Sequence, residues 1–267
     1  MRVIVTRPQQ DAGKWVDALR QAGLDAVALP LIGVAGAPDP QAVFDAWAGL
    51  PDFDAVMFVS GNAVDHFFAS KPPLAPVFIA DSAIKTRAYV TGPASAAALM
   101  RAGVAPDRID APPLESGQYD SEALWARVSA QVVPGFKLLI VRGTGSQAEG
   151  VAAVGEGAGR DWFAAQVAQA GGRVAYVVAY QRSLPTWSAE QDRMARAAAS
   201  DGTVWLFSSS EAIANLRACC TDQSWHAARA VATHPRIGRA ARDAGFAVVC
   251  ESRPTLGALV ASIESLQ

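Results

Sequence analysis

The sequence predicts an α/β protein built of two similar parallel-sheet domains, and three observations carry that expectation. Four helical stretches end in the same Ala-Gly pair before apolar residues, several strand–turn–helix segments occur in two copies, and the copies are ordered so that one domain must be assembled from both ends of the chain.

The chain opens on Arg2-Val3-Ile4-Val5-Thr6-Arg7-Pro8, which reads as a buried strand and its exit loop. The helix ends come next. Ala22-Gly23 precedes Leu24, Ala102-Gly103 precedes Val104, Ala170-Gly171 precedes Gly172, and Ala244-Gly245 precedes Phe246. A glycine just past a helix can take the left-handed conformation that satisfies the last carbonyls. Helices stopping this way, each followed by apolar residues, imply strand–helix–strand units and a parallel sheet.

The units also resemble one another. Val3-Ile4-Val5-Thr6-Arg7-Pro8 resembles Leu139-Ile140-Val141-Arg142-Gly143, and Phe58-Val59-Ser60-Gly61-Asn62-Ala63-Val64 resembles Phe207-Ser208-Ser209-Ser210-Glu211-Ala212-Ile213. Val90-Thr91-Gly92-Pro93-Ala94-Ser95 resembles Ala232-Thr233-His234-Pro235-Arg236-Ile237. The middle of the chain holds a nearly complete set, whereas the C-terminal part lacks a copy of the arginine strand. The N-terminal segment supplies it. Residues 1–34 with 181–267 are therefore expected to form one domain and residues 35–180 the other. The crossings at Leu29–Val34 and Tyr176–Arg182 are rich in β-forming residues and are expected to pair as a two-stranded hinge. A cleft between the domains is then the expected place for a ligand.

The 267 residues are 51% hydrophobic and 18% charged, ordinary for a chain with a buried core. A formal net charge of −2 argues against a nucleic-acid binder, which would usually show a basic stripe. Three cysteines, with Cys219 and Cys220 adjacent, have neither zinc-ligand nor disulfide spacing. No apolar run reaches the roughly 18 residues that span a bilayer. No signal-like stretch precedes the first strand. A soluble cytoplasmic protein with reduced thiols, bound to neither membrane nor nucleic acid, is expected. Nothing demands an oligomer, so a monomer is the default.

In open parallel sheets, ligands sit beyond the carboxyl ends of the strands, where loops enter helix N-termini. Those N-termini carry unpaired N–H groups and a partial positive charge. Ser60-Gly61-Asn62, Thr91-Gly92-Pro93, Ser208-Ser209-Ser210 and Thr233-His234-Pro235 combine helix-capping residues with small side chains. Arg7, Arg142 and Arg236 stand at comparable exits and could add bidentate carboxylate or phosphate contacts. Capping residues occur at helix starts whatever the function. Their repetition is what points to a polyanion. The Walker pattern, GxGxxG after the first strand, HExxH and the nucleophile elbow are all absent.

Among titratable candidates, His66 reads as a boundary side chain on a helix with Phe67 and Phe68, and His226 as a helical residue after Trp225. His234, in a strand-exit turn, is better placed to touch a ligand. Tyr180 lies on the second crossing, where its phenol could face a cleft and donate a proton, although packing alone would also account for a tyrosine there.

These segments are where the sequence resembles the uroporphyrinogen-III synthase family. The pattern is scattered over nearly the whole chain: Val5-Thr6-Arg7-Pro8, Val59-Ser60-Gly61-Asn62-Ala63-Val64, the Gly92-Pro93 turn, Tyr119-Asp120-Ser121-Glu122-Ala123-Leu124 and Leu139-Ile140-Val141-Arg142-Gly143. Gly159-Arg160-Asp161-Trp162, Val178-Ala179-Tyr180-Gln181-Arg182, Phe207-Ser208-Ser209-Ser210 and Thr233-His234-Pro235-Arg236-Ile237 complete it. The fold class this implies is α/β, two similar parallel-sheet (flavodoxin-like) domains joined by a two-stranded hinge, the first discontinuous.

The resemblance implies hydroxymethylbilane as substrate, with no metal or organic cofactor. Loss of the terminal hydroxyl gives an azafulvene on ring A, the substituted carbon of ring D attacks, and a spiro intermediate fragments and recloses with ring D inverted. Eight substrate carboxylates would meet the helix starts and arginines, and catalysis would rest mainly on holding ring D in place. Tyr180 matches the family's hinge tyrosine, to which assistance of hydroxyl departure is ascribed. Arg7, Ser60, Gly61, Asn62, Ser95, Arg142, Arg160, Ser208, Ser209, Ser210, His234 and Arg236 are the implied substrate-binding positions. A transient contact with the hydroxymethylbilane-forming enzyme is a further expectation.

Departures stand out. Ser95 replaces a common threonine in one Gly-Pro turn, and Arg236 stands where threonine is common in the other. Thr144–Ala158 reads as an inserted loop or lid that displaces Arg160 along the chain. Two other classes share the two-domain reading: a solute- or anion-binding protein without catalysis, and a glycosyltransferase, for which the chain is short and lacks a nucleotide site.

Overall fold

The computed structural model describes residues 1–73, 85–113, 118–145 and 158–266, with the side chains of 158–160 left aside. The expected insertion therefore lies almost wholly outside the described residues. The chain divides into two compact units, Met1–Val34 with Ser183–Gln267, and Ala35–Arg182.

The first unit holds strands β1 (Arg2–Val5) and β2 (Asp25–Ala28) from the N-terminal segment, and β9 (Val204–Phe207), β10 (Arg229–Ala232) and β11 (Val248–Glu251) from the C-terminal one. They form a five-stranded sheet in the order β11-β10-β9-β1-β2, parallel throughout. Taken in chain order this is 2-1-3-4-5, one of the common doubly wound arrangements. The second unit contributes β4 (Ala55–Phe58), β5 (Arg87–Val90), β6 (Ile109–Asp110), β7 (Lys137–Thr144) and β8 (Arg173–Ser183). Its sheet runs β3-β8-β7-β4-β5-β6, with β3 (Gly33–Gly36) as the added edge strand. If β7 is counted first, β8-β7-β4-β5-β6 is again 2-1-3-4-5. The two units share one strand order, entered by the chain at different points.

Parallel crossovers cover both faces of each sheet, so the central strands are apolar along their middles. In the first unit Ile4, Trp205, Phe207, Ala230 and Ala232 meet Ile213, Leu216, Ile237 and Ala241. Those four come from helices α8 (Ser210–Cys219) and α9 (Pro235–Asp243). The alternate residues Val3, Val5, Val204, Leu206 and Val231 meet α1 (Gln9–Gln21) and α10 (Leu256–Glu264) through Val16, Leu19, Leu259 and Ile263. In the second unit Met57, Tyr89 and Ile140 pack on Leu124 of α5 (Ser121–Val128) and on Phe163 and Val167 of α6 (Ala158–Gln169). On the other face Phe58 lies edge-on to Phe67 of α3 (Gly61–Ala69), whose ring stacks on Trp47 of α2 (Pro40–Ala48) at 4.5 Å.

The Ala-Gly ends behave alike. Gly23, Gly103, Gly171 and Gly245 all have φ between 83° and 94°. Each donates to a carbonyl three residues back, and the following residue donates to one five back, as in Leu24 to Leu19 and Phe246 to Ala241. This is the paired closure of a helix end that requires a left-handed residue.

One expectation needs correction. His226 is not helical: α8 stops at Cys219, and Trp225 is buried against Trp205 and stacked on Phe246 at 5.4 Å. Anchoring that ring in the core holds residues 221–228 as turns, and Ser224 Oγ lies 2.6 Å from His226 Nδ1.

The segment leaving β2 is held by side chains. Asn215 of α8 donates from Nδ2 to the Leu31 carbonyl at 2.8 Å, both residues being buried, and Trp187 Nε1 donates to the Pro30 carbonyl. Asn215→Ala should lower unfolding free energy by about 1–3 kcal/mol, because it strands a buried carbonyl; urea titration measures it. The buried Cys220 thiol is pushed up to about 11, chiefly by desolvation. It should resist disulfide-exchange reagents at pH 8 until the protein is denatured, which thiol titration with and without urea checks.

Candidate functional site

In a parallel sheet every strand exits at the same edge. In the second unit Phe58 is in register with both Val141 and Val90, so the exits of β4, β7 and β5 lie side by side. Ser60 caps α3 there, its Oγ accepting from the Ala63 N–H at 3.2 Å. Tyr180 reaches that cap from β8: its hydroxyl is 3.1 Å from Ser60 Oγ.

Two local features bring the phenol there. The β7–β8 register slips, with Arg142 opposite Val178 but Gly143 opposite Tyr180, a bulge that re-aims the side chain. The ring then crosses the bare Cα of Gly143. A Cβ at that position would meet Tyr180 ring carbons at 2.3–2.7 Å, so only glycine fits. His66, farther along α3, stacks on Tyr180 with ring centroids 5.7 Å apart and planes 20° apart. Burial lowers its imidazole below the usual value, with Asp65 opposing in part, so the ring is neutral near pH 7. Its Nε2 is buried and has no hydrogen-bond partner among the described residues.

Arg142 is exposed beside this group, its guanidinium 5.0 Å from the ring of the exposed Tyr176. A guanidinium stacked on an aromatic face keeps its N–H fork free for a carboxylate. Gly61 and Asn62 form the first turn of α3 and are half-buried. α4 (Pro93–Arg101) starts from Gly92 without a side-chain cap. Ser95, in its first turn, is buried. Arg160 lies in α6, where its side chain is outside the described residues.

The first unit repeats the edge with different side chains. Thr6 Oγ1 donates to the Leu206 carbonyl at 2.7 Å, joining the β1 and β9 exits. Arg7 folds over Trp15 at 4.7 Å, and burial pushes its guanidinium below the usual value, with Asp11 opposing. Ser208 precedes the cap of α8. Ser209 is that cap, its Oγ accepting from the Glu211 N–H, while Ser210 Oγ is buried without a described partner. His234, rather than Thr233, caps α9: its Nδ1 accepts from the Arg236 N–H at 3.1 Å, and Arg236 itself is exposed. A cavity of about 590 Å³ in the same unit, lined by Arg217, Cys220, Ser224 and His226, opens before β10, away from these exits.

The structure thus gathers Ser60, Tyr180 and, beside them, Arg142. Sequence reasoning read His66 as a boundary side chain and gave Gly143 no role of its own. The signal for His66 was its spacing: six residues after Ser60, as Asn215 is six after Ser209.

Fold and edge together define a class: a doubly wound α/β protein of two permuted units whose strand exits carry helix caps and arginines suited to carboxylates. The family model for Uroporphyrinogen-III synthase HemD matches residues 13–261. The chain belongs to the uroporphyrinogen-III synthase family. A Porphyrin biosynthesis protein HemD from Ruminiclostridium josui is 30% identical over 67 residues, which are 25% of this chain and only 13% of that relative. The fold is similar to uroporphyrinogen-III synthetase from Helicobacter pylori, with a TM-score of 0.54 and 14% identity, covering 100% of both chains. It is also similar to a mutant uroporphyrinogen III synthase from the extremely thermophilic bacterium Thermus thermophilus. There the TM-score is 0.51 and the identity 15%, over 100% of this chain and 98% of the other.

Gly143→Ala should cost about 1–3 kcal/mol through overpacking against Tyr180. In a Tyr180→Ala background most of that cost should vanish, a double-mutant cycle readable by thermal unfolding.

Proposed function

We propose that the protein is a uroporphyrinogen-III synthase, closing hydroxymethylbilane with inversion of ring D. The observation that carries the reading is the Tyr180 hydroxyl held 3.1 Å from the helix-capping Ser60 at the strand exits, in a chain of this family. Tyr180 donates a hydrogen bond, and then a proton, to the departing hydroxyl of the substrate. The proton it gives up is recovered when the pyrrole N–H of the same ring is lost, so the phenol is restored. Ser60 is the neighbouring hydroxyl that orients it.

Carboxylates are bound at the exits of each unit. Arg142, Gly61, Asn62, Ser95 and Arg160 are assigned this role in the second. Arg7, Ser208, Ser209, Ser210, His234 and Arg236 are assigned it in the first. One helix terminus contributes only about 0.3–1 kcal/mol, so several must act together on a polyanion. The reading takes residues 1–34 with 181–267 and 35–180 as the two domains of a cytoplasmic monomer. The ligand is a small-molecule tetrapyrrole, received from the hydroxymethylbilane-forming enzyme in a transient contact.

The test supplies porphobilinogen and a hydroxymethylbilane-forming enzyme with and without this protein, then separates the oxidised porphyrin isomers. The type III isomer is expected. Type I alone from folded protein would mean an anion-binding protein without catalysis, since free hydroxymethylbilane cyclises to type I by itself. In this assay Tyr180→Phe should retain the fold and lose turnover by on the order of tenfold to a hundredfold. Arg142→Ala should raise KM by about tenfold, the loss of one charge-assisted contact, with little change in kcat.

A further inference from the structure

The two units carry their own internal comparison. Ser60 and Ser209 cap equivalent helices after equivalent strands, β4 and β9. Six residues beyond each cap stands a polar side chain, His66 in one unit and Asn215 in the other. The strands beside them are equivalent too: Ile140, opposite Met57, pairs with Tyr176 as Val5, opposite Leu206, pairs with Ala28. Three residues beyond those partners lie Ala179 and Leu31, with Tyr180 directly after Ala179. In the first unit the polar side chain is satisfied at that place, Asn215 Nδ2 donating to the Leu31 carbonyl at 2.8 Å. In the second the Tyr180 ring, carried one residue past that place, stacks on His66, and His66 Nε2 is buried with no described partner.

A buried polar atom without a hydrogen bond is costly in a folded protein and is rare for that reason. The equivalent position shows that this helix–strand contact can be fully satisfied by an ordinary side chain. Leaving it unpaired beside the phenol is consistent with a partner that arrives from outside. A neutral imidazole keeps one donor and one acceptor nitrogen, and Asp65 is the charged group that opposes its burial. Such a ring can serve either a pyrrole N–H or a carboxylate oxygen of a tetrapyrrole without introducing a charge next to Tyr180.

We infer that His66 is a substrate-contacting residue, its Nε2 hydrogen-bonding the polar edge of the tetrapyrrole ring that Tyr180 addresses while its face braces the phenol against Gly143. The inference rests on the proposed function and extends it to a residue that the motif resemblance does not include.

The experiment compares the wild-type chain with His66→Phe, His66→Gln and His66→Ala in the coupled isomer assay, with thermal unfolding of each. Phenylalanine keeps the stacking face and removes the nitrogens. His66→Phe should raise KM about tenfold, with Tm unchanged or higher because an unsatisfied buried nitrogen is gone. Glutamine, which restores a hydrogen-bonding group, should recover part of that KM. Alanine, which removes the stack as well, should also lower kcat by about tenfold. Unchanged kinetics in His66→Phe would overturn the contact. A lowered Tm with KM unmoved would also overturn it, since His66 would then be a packing residue only. Wild-type protein yielding type I alone would remove the proposed function and this inference together. Type III from wild type with an unaffected His66→Phe would remove this inference alone.

Discussion

A parallel sheet can be built only if every connection returns the chain to the same starting edge, and that constraint shapes each unit. The returning helices must stop cleanly before the next strand begins. Gly23, Gly103, Gly171 and Gly245 close their helices with the same pair of hydrogen bonds for that reason. The constraint also sends every strand exit to the opposite edge. Loop residues far apart in sequence, such as Ser60, Arg142 and Thr91, become neighbours there without any contact having been selected between them individually. Helix N-termini collect at that edge with their unpaired N–H groups. The polar chemistry therefore sits at one edge, while the apolar sheets that support it stay uninterrupted.

The units share a strand order but use it differently. In the first, the exit beyond β2 is secured by Asn215 and Trp187, both hydrogen-bonded to backbone carbonyls. In the second, the corresponding stretch of β8 runs on as a long strand, slips register after Arg142, and stacks an aromatic ring on His66 of the helix. The ring has room because residue 143 is glycine. In the first unit the corresponding strand exit carries Arg7, whose long side chain folds away over Trp15. One copy of the repeat thus became a braced backbone and the other a slot for a phenol. Family membership and this difference together make the second unit the place where reactive groups are sought.

Much was legible in the chain itself. Apolar four-residue runs, Ala-Gly helix ends and duplicated turns determined the α/β class, the presence of two similar units and the expectation that the first is discontinuous. These features are written locally, as periodicity and as residues tolerated in a particular backbone conformation. The capping role of Ser60 and Ser209 is equally local, set by a hydroxyl one turn before an amide. The helix expected around His226 failed because Trp225 is drawn into a core formed by Trp205 and Phe246. That pull comes from residues some twenty positions away on either side, and no window around His226 contains it.

The tertiary structure alone decided which side chains act on one another. Tyr180 and Ser60 are 120 residues apart and meet because β8, β7 and β4 lie in one sheet. The register slip that turns the phenol, the close approach that forbids a Cβ at Gly143, and the stacking of His66 are pairings across strands. They depend on distances of a few ångströms between segments whose separation along the chain carries no information about register. Sequence determines which elements form and roughly where they stop. Only the packed sheet decides which of their residues stand face to face, because register and burial are collective results of the whole core.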